Sequence, residues 1–266
     1  MERRSFVKTS LLAGAAATII PATAMASAVT GPKTAAIEFY ELRVYSLKND
    51  TQQKLVEAYL KDAAIPAMNR LGIKAVGVFT ELKSDGQTKI YVLIPFSSIT
   101  DLLQMTGNLD NDKVYQEQGS AYLNAPATAP AYERIESSLL KAFVHMPEMA
   151  LPAKQPRIFE LRQYQSASES AGKKKIEMFN SQGEIDIFKR LGFNPVFFGE
   201  TLIGPLRPNL TYMVTFDDMA AHDSHWKAFG ADDEWKKISS VPEYADAKLV
   251  SKITSTMIAP TAYSQI

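Results

Sequence analysis

The segment "FYELRVY" at residues 39–45 recurs as "IFELRQY" at 158–164, and this recurrence limits the possible folds more than any other feature of the chain. Glu41 and Glu160 are 119 positions apart, Arg70 and Arg190 are 120 apart, and Phe96 and Phe216 are again 120 apart. Copies that hold register over such a span are a repeated structural unit with its own strands and helices. Residues 37–45 alternate and are rich in aromatic and branched side chains, as a strand requires. A helix follows over about 51–71, with Leu55, Tyr59, Ala63, Ala67 and Leu71 on one stripe, Asp50 and Gln53 as a capping pair, and Pro66 as a kink or break. Both copies close this helix with Arg-Leu-Gly, where Gly72 and Gly192 suit the left-handed residue that ends a helix. "IKAVGVFTEL", "SDGQ" and "KIYVLIPF" then make a hairpin, matched later by "FNPVFFGETLI", "GPLRPN" and "LTYMVTF". A second helical region over about 99–123 or 219–238, and a last strand at "IESSLLKAF" or "ITSTMIAPT", complete each unit.

The order strand, helix, strand, strand, helix, strand therefore occurs twice. The expected fold class is α+β: two tandem ferredoxin-like (βαββαβ) repeats, at 36–143 and 158–262, joined by a Met-, Pro- and Lys-containing tether at 144–157 that opens near His145. One such unit leaves a face of its sheet bare. The second copy covers it, so the two repeats are predicted to pair sheet to sheet and close an α/β barrel within one chain.

Residues 1–26 read as an export signal of the twin-arginine kind: Arg3-Arg4, then Phe6-Val7-Lys8, a weakly apolar run from Leu11 to Ile20, and Ala24-Met25-Ala26 before the cleavage point. The apolar run falls short of the roughly 20 residues a membrane-spanning helix needs. The expected location is periplasmic or extracellular. Beyond residue 26 the chain carries 26 basic and 28 acidic residues, a net charge near −2, so nothing points to nucleic acid or an anionic membrane as a partner. Cysteine is absent, which excludes disulfides, Cys-ligated iron–sulfur clusters and Cys-bearing zinc sites.

The paired E-L-R-x-Y strands, the helix ending R-L-G before a hairpin, and "HWKAFGADDEWKKISS" at 225–240 resemble the NIPSNAP family, a branch of the dimeric α/β-barrel superfamily. The resemblance covers nearly the whole chain beyond the signal. It implies the barrel fold, but no catalytic residues carry over. The first copy departs at "LLQMTGNLDNDKVYQEQG", where Tyr115 stands opposite Trp235 and Leu109 opposite Phe229, so its helix packs or binds differently.

Alternate residues of a strand share a face, which groups Glu41, Arg43 and Tyr45, and in the second copy Glu160, Arg162 and Tyr164. The apolar set Tyr40, Leu42 and Val44 is expected beneath the helices and the polar set toward the barrel interior or its rim. There the Glu–Arg pair either fixes strand register as a structural ion pair or leaves spare guanidinium donors for a ligand carboxylate or enolate. His222 and His225 lie three apart on a predicted helix. They are weak candidates for a metal or haem, since relatives in the superfamily include haem enzymes, and a solvated helix face is the plainer reading. No cofactor is expected. Trp226, Phe229 and Trp235 read as core.

No Ser-His-Asp order, glycine-rich phosphate loop or H-E-x-x-H is present, leaving two functional classes. One is a binding module for a small molecule or a protein partner, with further self-association left open. The other, implied by the superfamily, is a monooxygenase-like enzyme acting on a small aromatic or anionic substrate. An enclosed pocket ringed by Arg43, Tyr45, Arg162 and Tyr164 would favour the enzyme, and a barrel filled by side chains the binding module.

Overall fold

A computed structural model describes residues 36–84 and 86–266. The signal assigned to residues 1–26 lies outside the described residues. Repeat 1 contains β1 (Phe39–Leu47), α1 (Asp50–Tyr59), a π turn (Leu60–Ala64), α2 (Ile65–Arg70), β2 (Gly77–Glu81), β3 (Thr88–Phe96), α3 (Ile99–Asp110), α4 (Lys113–Gln118), α5 (Ser120–Leu123) and β4 (Arg134–Ala142). Repeat 2 contains β5 (Ile158–Gln165), α6 (Glu169–Ser181), α7 (Glu184–Arg190), β6 (Pro195–Ile203), β7 (Asn209–Phe216), α8 (Met219–Ala231), α9 (Asp233–Ser239), α10 (Asp246–Leu249) and β8 (Lys252–Pro260).

Within each repeat the fourth strand, the first, the third and the second lie side by side, every pair antiparallel. The seams β2–β8 and β4–β6 join the two sheets into a closed eight-stranded barrel. Two aromatic contacts cross between the repeats inside the barrel. Tyr40 meets Phe197 at 5.1 Å between ring centres, and Phe159 meets Phe79 at 5.0 Å.

Local signals explain the elements, with two differences. The cap of α1 is Asn49, whose side chain accepts from the Gln52 N–H, in place of the expected Asp50. Pro66 does not break the helix: the π turn just ahead of it absorbs the missing N–H. Gly72 (φ +86°) and Gly192 (φ +83°) take the left-handed conformation anticipated for them. The arginine before each glycine also has a role. Arg70 binds Asp112 at 2.6 Å and Arg190 binds Asp232 at 2.9 Å, and each aspartate caps the next helix, α4 or α9. The segment 144–157 is pinned to both repeats and is no free tether: His145 N–H donates to Asn180, Met149 N–H to Glu38, and Ala150 N–H to the Val196 carbonyl.

The two faces of the strands are the reverse of the sequence expectation. Tyr40 and Leu42 fill the barrel with Phe79, Leu93, Phe159, Phe197 and Met213, and Val44 packs at the edge of that group. Tyr45 and Tyr164 belong instead to the layers between sheet and helices. The reason is that this sheet has an apolar layer on both sides, so alternation pairs residues without saying which side is which. A closed barrel of this size is filled by side chains and best suits the wholly apolar set. The long Arg stem tolerates the helix side, where its head keeps some contact with water.

Candidate functional site

Each polar triad lies beneath the helices of its own repeat, and the structure does not bring the two triads together. In repeat 2, Arg162 donates Nη1 to Glu160 Oε1 at 2.7 Å and Nη2 to the Tyr164 hydroxyl at 3.1 Å. Glu160 Oε1 also accepts from the Ser255 hydroxyl, and Glu160 Oε2 accepts the indole N–H of Trp226 at 2.8 Å. The Trp226 ring lies over the guanidinium, 4.3 Å from Arg162 Cζ to the ring centre. With that cover the Glu160 side chain is 1 % exposed.

In repeat 1 the position opposite Trp226 is Thr106, 120 residues earlier and exposed. Arg43 takes both oxygens of Glu41, Nε to Oε1 at 3.0 Å and Nη2 to Oε2 at 2.8 Å, while Nη1 lies 3.5 Å from the Tyr45 hydroxyl. Ser137 repeats the role of Ser255. The Glu41 side chain is 13 % exposed. Burial pulls the Arg43 guanidinium down, but Tyr45 and Glu41 outweigh it and hold it above its ordinary value, so it stays charged.

A cavity of about 100 Å³ opens against Arg43, lined by Tyr59, Leu60, Met68, Val92, Met105, Thr106, Leu109 and Tyr115 among others. Repeat 2 puts rings at most of the corresponding places: Phe179 opposite Leu60, Phe188 opposite Met68, Tyr212 opposite Val92, Trp226 opposite Thr106 and Phe229 opposite Leu109. Those rings pack on one another, with Phe188–Phe229 at 4.8 Å, Phe179–Tyr212 at 5.6 Å and Trp226–Phe229 at 5.6 Å. The cavity is the volume those rings fill in the other copy. Its wall includes the hydroxyl pair Tyr59–Tyr115, 2.8 Å apart, and Tyr122 stacks on Tyr59 at 3.7 Å. Burial pushes the Tyr59 and Tyr115 hydroxyls up, so both stay neutral and able to donate.

His222 and His225 share a face of α8, but that face is not solvated. His222 sits edge-on to Phe216 at 5.0 Å and pairs with Asp223 at 2.8 Å, and His225 packs on Phe193, Phe216 and Gly192. Neither lines the cavity beside Arg43. Among the described residues no group of three or more His, Cys, Asp or Glu is placed to hold a metal, and no helix is long and apolar enough to cross a membrane.

A second polar cluster escaped the sequence reading. Lys175 is buried within 3.3 Å of Glu184 and 3.4 Å of Asp246, under the Trp235 ring. Burial pushes Glu184 up to about 7. Burial also opposes the charge on Lys175, but Glu184 and Asp246 together hold it above its ordinary value. A lysine and a glutamate nine positions apart, with no repeat-1 counterpart, gave no warning of the pair.

The NIPSNAP family model matches the chain twice, over residues 40–144 and 159–265. The chain belongs to the NIPSNAP family. Among solved structures, a "putative monooxygenase" from Fusobacterium nucleatum is 7 % identical with a TM-score of 0.55, over 85 % of this chain and 93 % of that one. Another so described, from Lactobacillus acidophilus, is 8 % identical with a TM-score of 0.55, over 84 % and 94 %. A NIPSNAP family protein from Agrobacterium tumefaciens is 18 % identical with a TM-score of 0.37, over 44 % of this chain and 97 % of that one. No curated protein matches the chain. The first two likenesses extend to the fold: this NIPSNAP chain forms the same kind of dimeric α/β barrel from two repeats of its own.

Proposed function

We propose that this NIPSNAP protein is a small-molecule-binding module whose ligand enters the repeat-1 cavity between sheet and helices. One observation carries the reading: the buried-edge cation Arg43 faces a cavity that repeat 2 fills with its own rings. The barrel interior offers no such room, since Tyr40, Phe79, Phe159 and Phe197 pack across it. Thermal unfolding of the wild type and Thr106→Trp against a library of small aromatic and anionic compounds tests the proposal. Compounds that raise the wild-type midpoint and leave the variant unmoved support it, because a ligand of the native state stabilises by mass action. Equal shifts in both proteins, or none in either, contradict it.

A second reading is a monooxygenase-like enzyme, the description given to the two barrels above. What favours it is a cavity with a guanidinium and two neutral tyrosine hydroxyls, able to orient an aromatic substrate anion. Its chemistry would occupy the same cavity and not the barrel interior. Oxygen uptake on adding a compound found by the unfolding screen decides between them.

The proposal includes export by the twin-arginine route, supported by Arg3-Arg4 and the run to Lys8. Replacing both arginines by lysine should retain the protein in the cytoplasm of its host. Undiminished release would refute that route.

A further inference from the structure

Resting on the ligand site proposed above, we infer that its ligand is an aryl compound carrying a ring N–H or O–H donor, for which the Trp226 side chain of repeat 2 is a built-in template. Trp226 shows what the Glu–Arg motif accepts when an aromatic group is supplied: a ring over the guanidinium at 4.3 Å and an N–H donated to the second carboxylate oxygen at 2.8 Å. Both interactions are strong types, a cation against a ring face and a hydrogen bond to a charged acceptor. Repeat 1 keeps the motif as Glu41, Arg43, Tyr45 and Ser137, yet Thr106 supplies no ring.

The rest of repeat 1 has changed to match. Glu41 keeps an exposure of 13 % where Glu160 has 1 %, and its Oε2, which accepts from Arg43 alone, keeps a lone pair for a donor reaching past Arg43. Arg43 has swung onto both Glu41 oxygens, a geometry that Arg162 does not adopt beside its indole. The cavity of about 100 Å³ is smaller than the roughly 150 Å³ that encloses a benzene in an apolar core, so a ring enters with part of the compound at the mouth. Thr106 is exposed at that mouth, so a compound enters along the line that the Trp226 side chain follows in repeat 2. Met68 and Met105 form part of the wall, and unbranched thioethers adapt to an arriving ring.

Isothermal titration with indole and 1-methylindole tests the inference. The wild type should bind one indole per chain and bind 1-methylindole about tenfold more weakly, the loss expected for one hydrogen bond to a charged acceptor. Thr106→Trp should abolish binding, and Trp226→Thr should raise the stoichiometry to two. Glu41→Gln gives a variant that does not open the repeat-2 core: it should weaken indole more than 1-methylindole, so that the difference between the two compounds shrinks. Equal affinity for the two compounds overturns the donor requirement, and loss of both in Thr106→Trp would then still uphold the cavity as a site. No binding of either compound overturns the aryl class, while library compounds blocked by Thr106→Trp keep the site. Indole binding that survives Thr106→Trp overturns the inference and the site together.

Discussion

The helix layer of repeat 2 is closed by rings, and that of repeat 1 is not. Phe179, Phe188, Tyr212, Trp226 and Phe229 pack on one another over Arg162, whereas Leu60, Met68, Val92, Thr106 and Leu109 leave Arg43 facing a cavity. The strand order, the Glu–Arg–Tyr strand and the Arg–Asp latch are shared. Around the two arginines the difference lies in side-chain volume. Repeat 2 covers its polar motif with rings and leaves Arg162 Nε without a partner, while repeat 1 pairs Arg43 fully with Glu41 and leaves a cavity beside it. The two layers differ in charge as well. Repeat 2 buries Lys175 and Glu184, and repeat 1 has Val56 and Ala64 at the matching positions, counted from the α1 and α6 caps and from Arg70 and Arg190.

The sharpest break between the repeats should come from the buried pair. Lys175→Met leaves Glu184 without its nearest cation and should cost about 3–5 kcal/mol in denaturant unfolding, whereas Lys175→Met combined with Glu184→Leu, which copies the apolar character of repeat 1, should cost less than the single change. An equal or larger loss in the double variant would show that the pair is not an ionic unit. Trp226→Ala comes next, at about 3 kcal/mol, because it removes packed rings and the donor to Glu160, while Thr106→Ala should stay within about 0.5 kcal/mol. Similar costs at the two positions would remove the asymmetry between the layers.

Glu184 adds a dependence on pH at a place that repeat 1 fills with Ala64. Its carboxyl is held at about 7 by burial, above its ordinary 4.5, so the native state keeps the proton to higher pH than the unfolded chain does. Stability from this group is full below about pH 4.5 and is lost as pH rises to about 7, a fall of roughly 3 kcal/mol. Denaturant midpoints measured from pH 4 to 8 should show the fall in the wild type and a flatter profile in Glu184→Gln; identical profiles would count against it. The smallest contrast concerns the helix-ending glycines. Gly72→Ala and Gly192→Ala both force a left-handed alanine at about 1 kcal/mol, and Gly192→Ala should cost more because its Cβ would meet the His225 ring at 3.2 Å. Equal thermal midpoints for the two variants would mean that the ring moves aside freely.

The repeat spacing made the architecture legible, because strands and helices in two registered copies leave few ways to cover both sheets. Gly72 and Gly192 were legible for the same reason. The facing of the strands was not, since Tyr40 and Arg43 both lie under apolar layers and periodicity cannot tell a barrel core from a helix layer. His222 and His225 were placed on one face but not against Phe216, because nothing in α8 itself shows how closely β7 approaches. The cavity had a visible signal in Thr106 opposite Trp226. Its meaning depended on knowing that Trp226 reaches Glu160, a contact 66 positions long that only the folded chain reveals.

The crystal structure of Thr106→Trp is the most direct test of the claim that repeat 1 holds the vacant place of an aromatic ring. The account predicts that the introduced indole lies over the Arg43 guanidinium, donates its N–H to Glu41, and returns Arg43 to the geometry of Arg162. An indole turned to solvent, with Arg43 still on both Glu41 oxygens and the cavity unfilled, would contradict it.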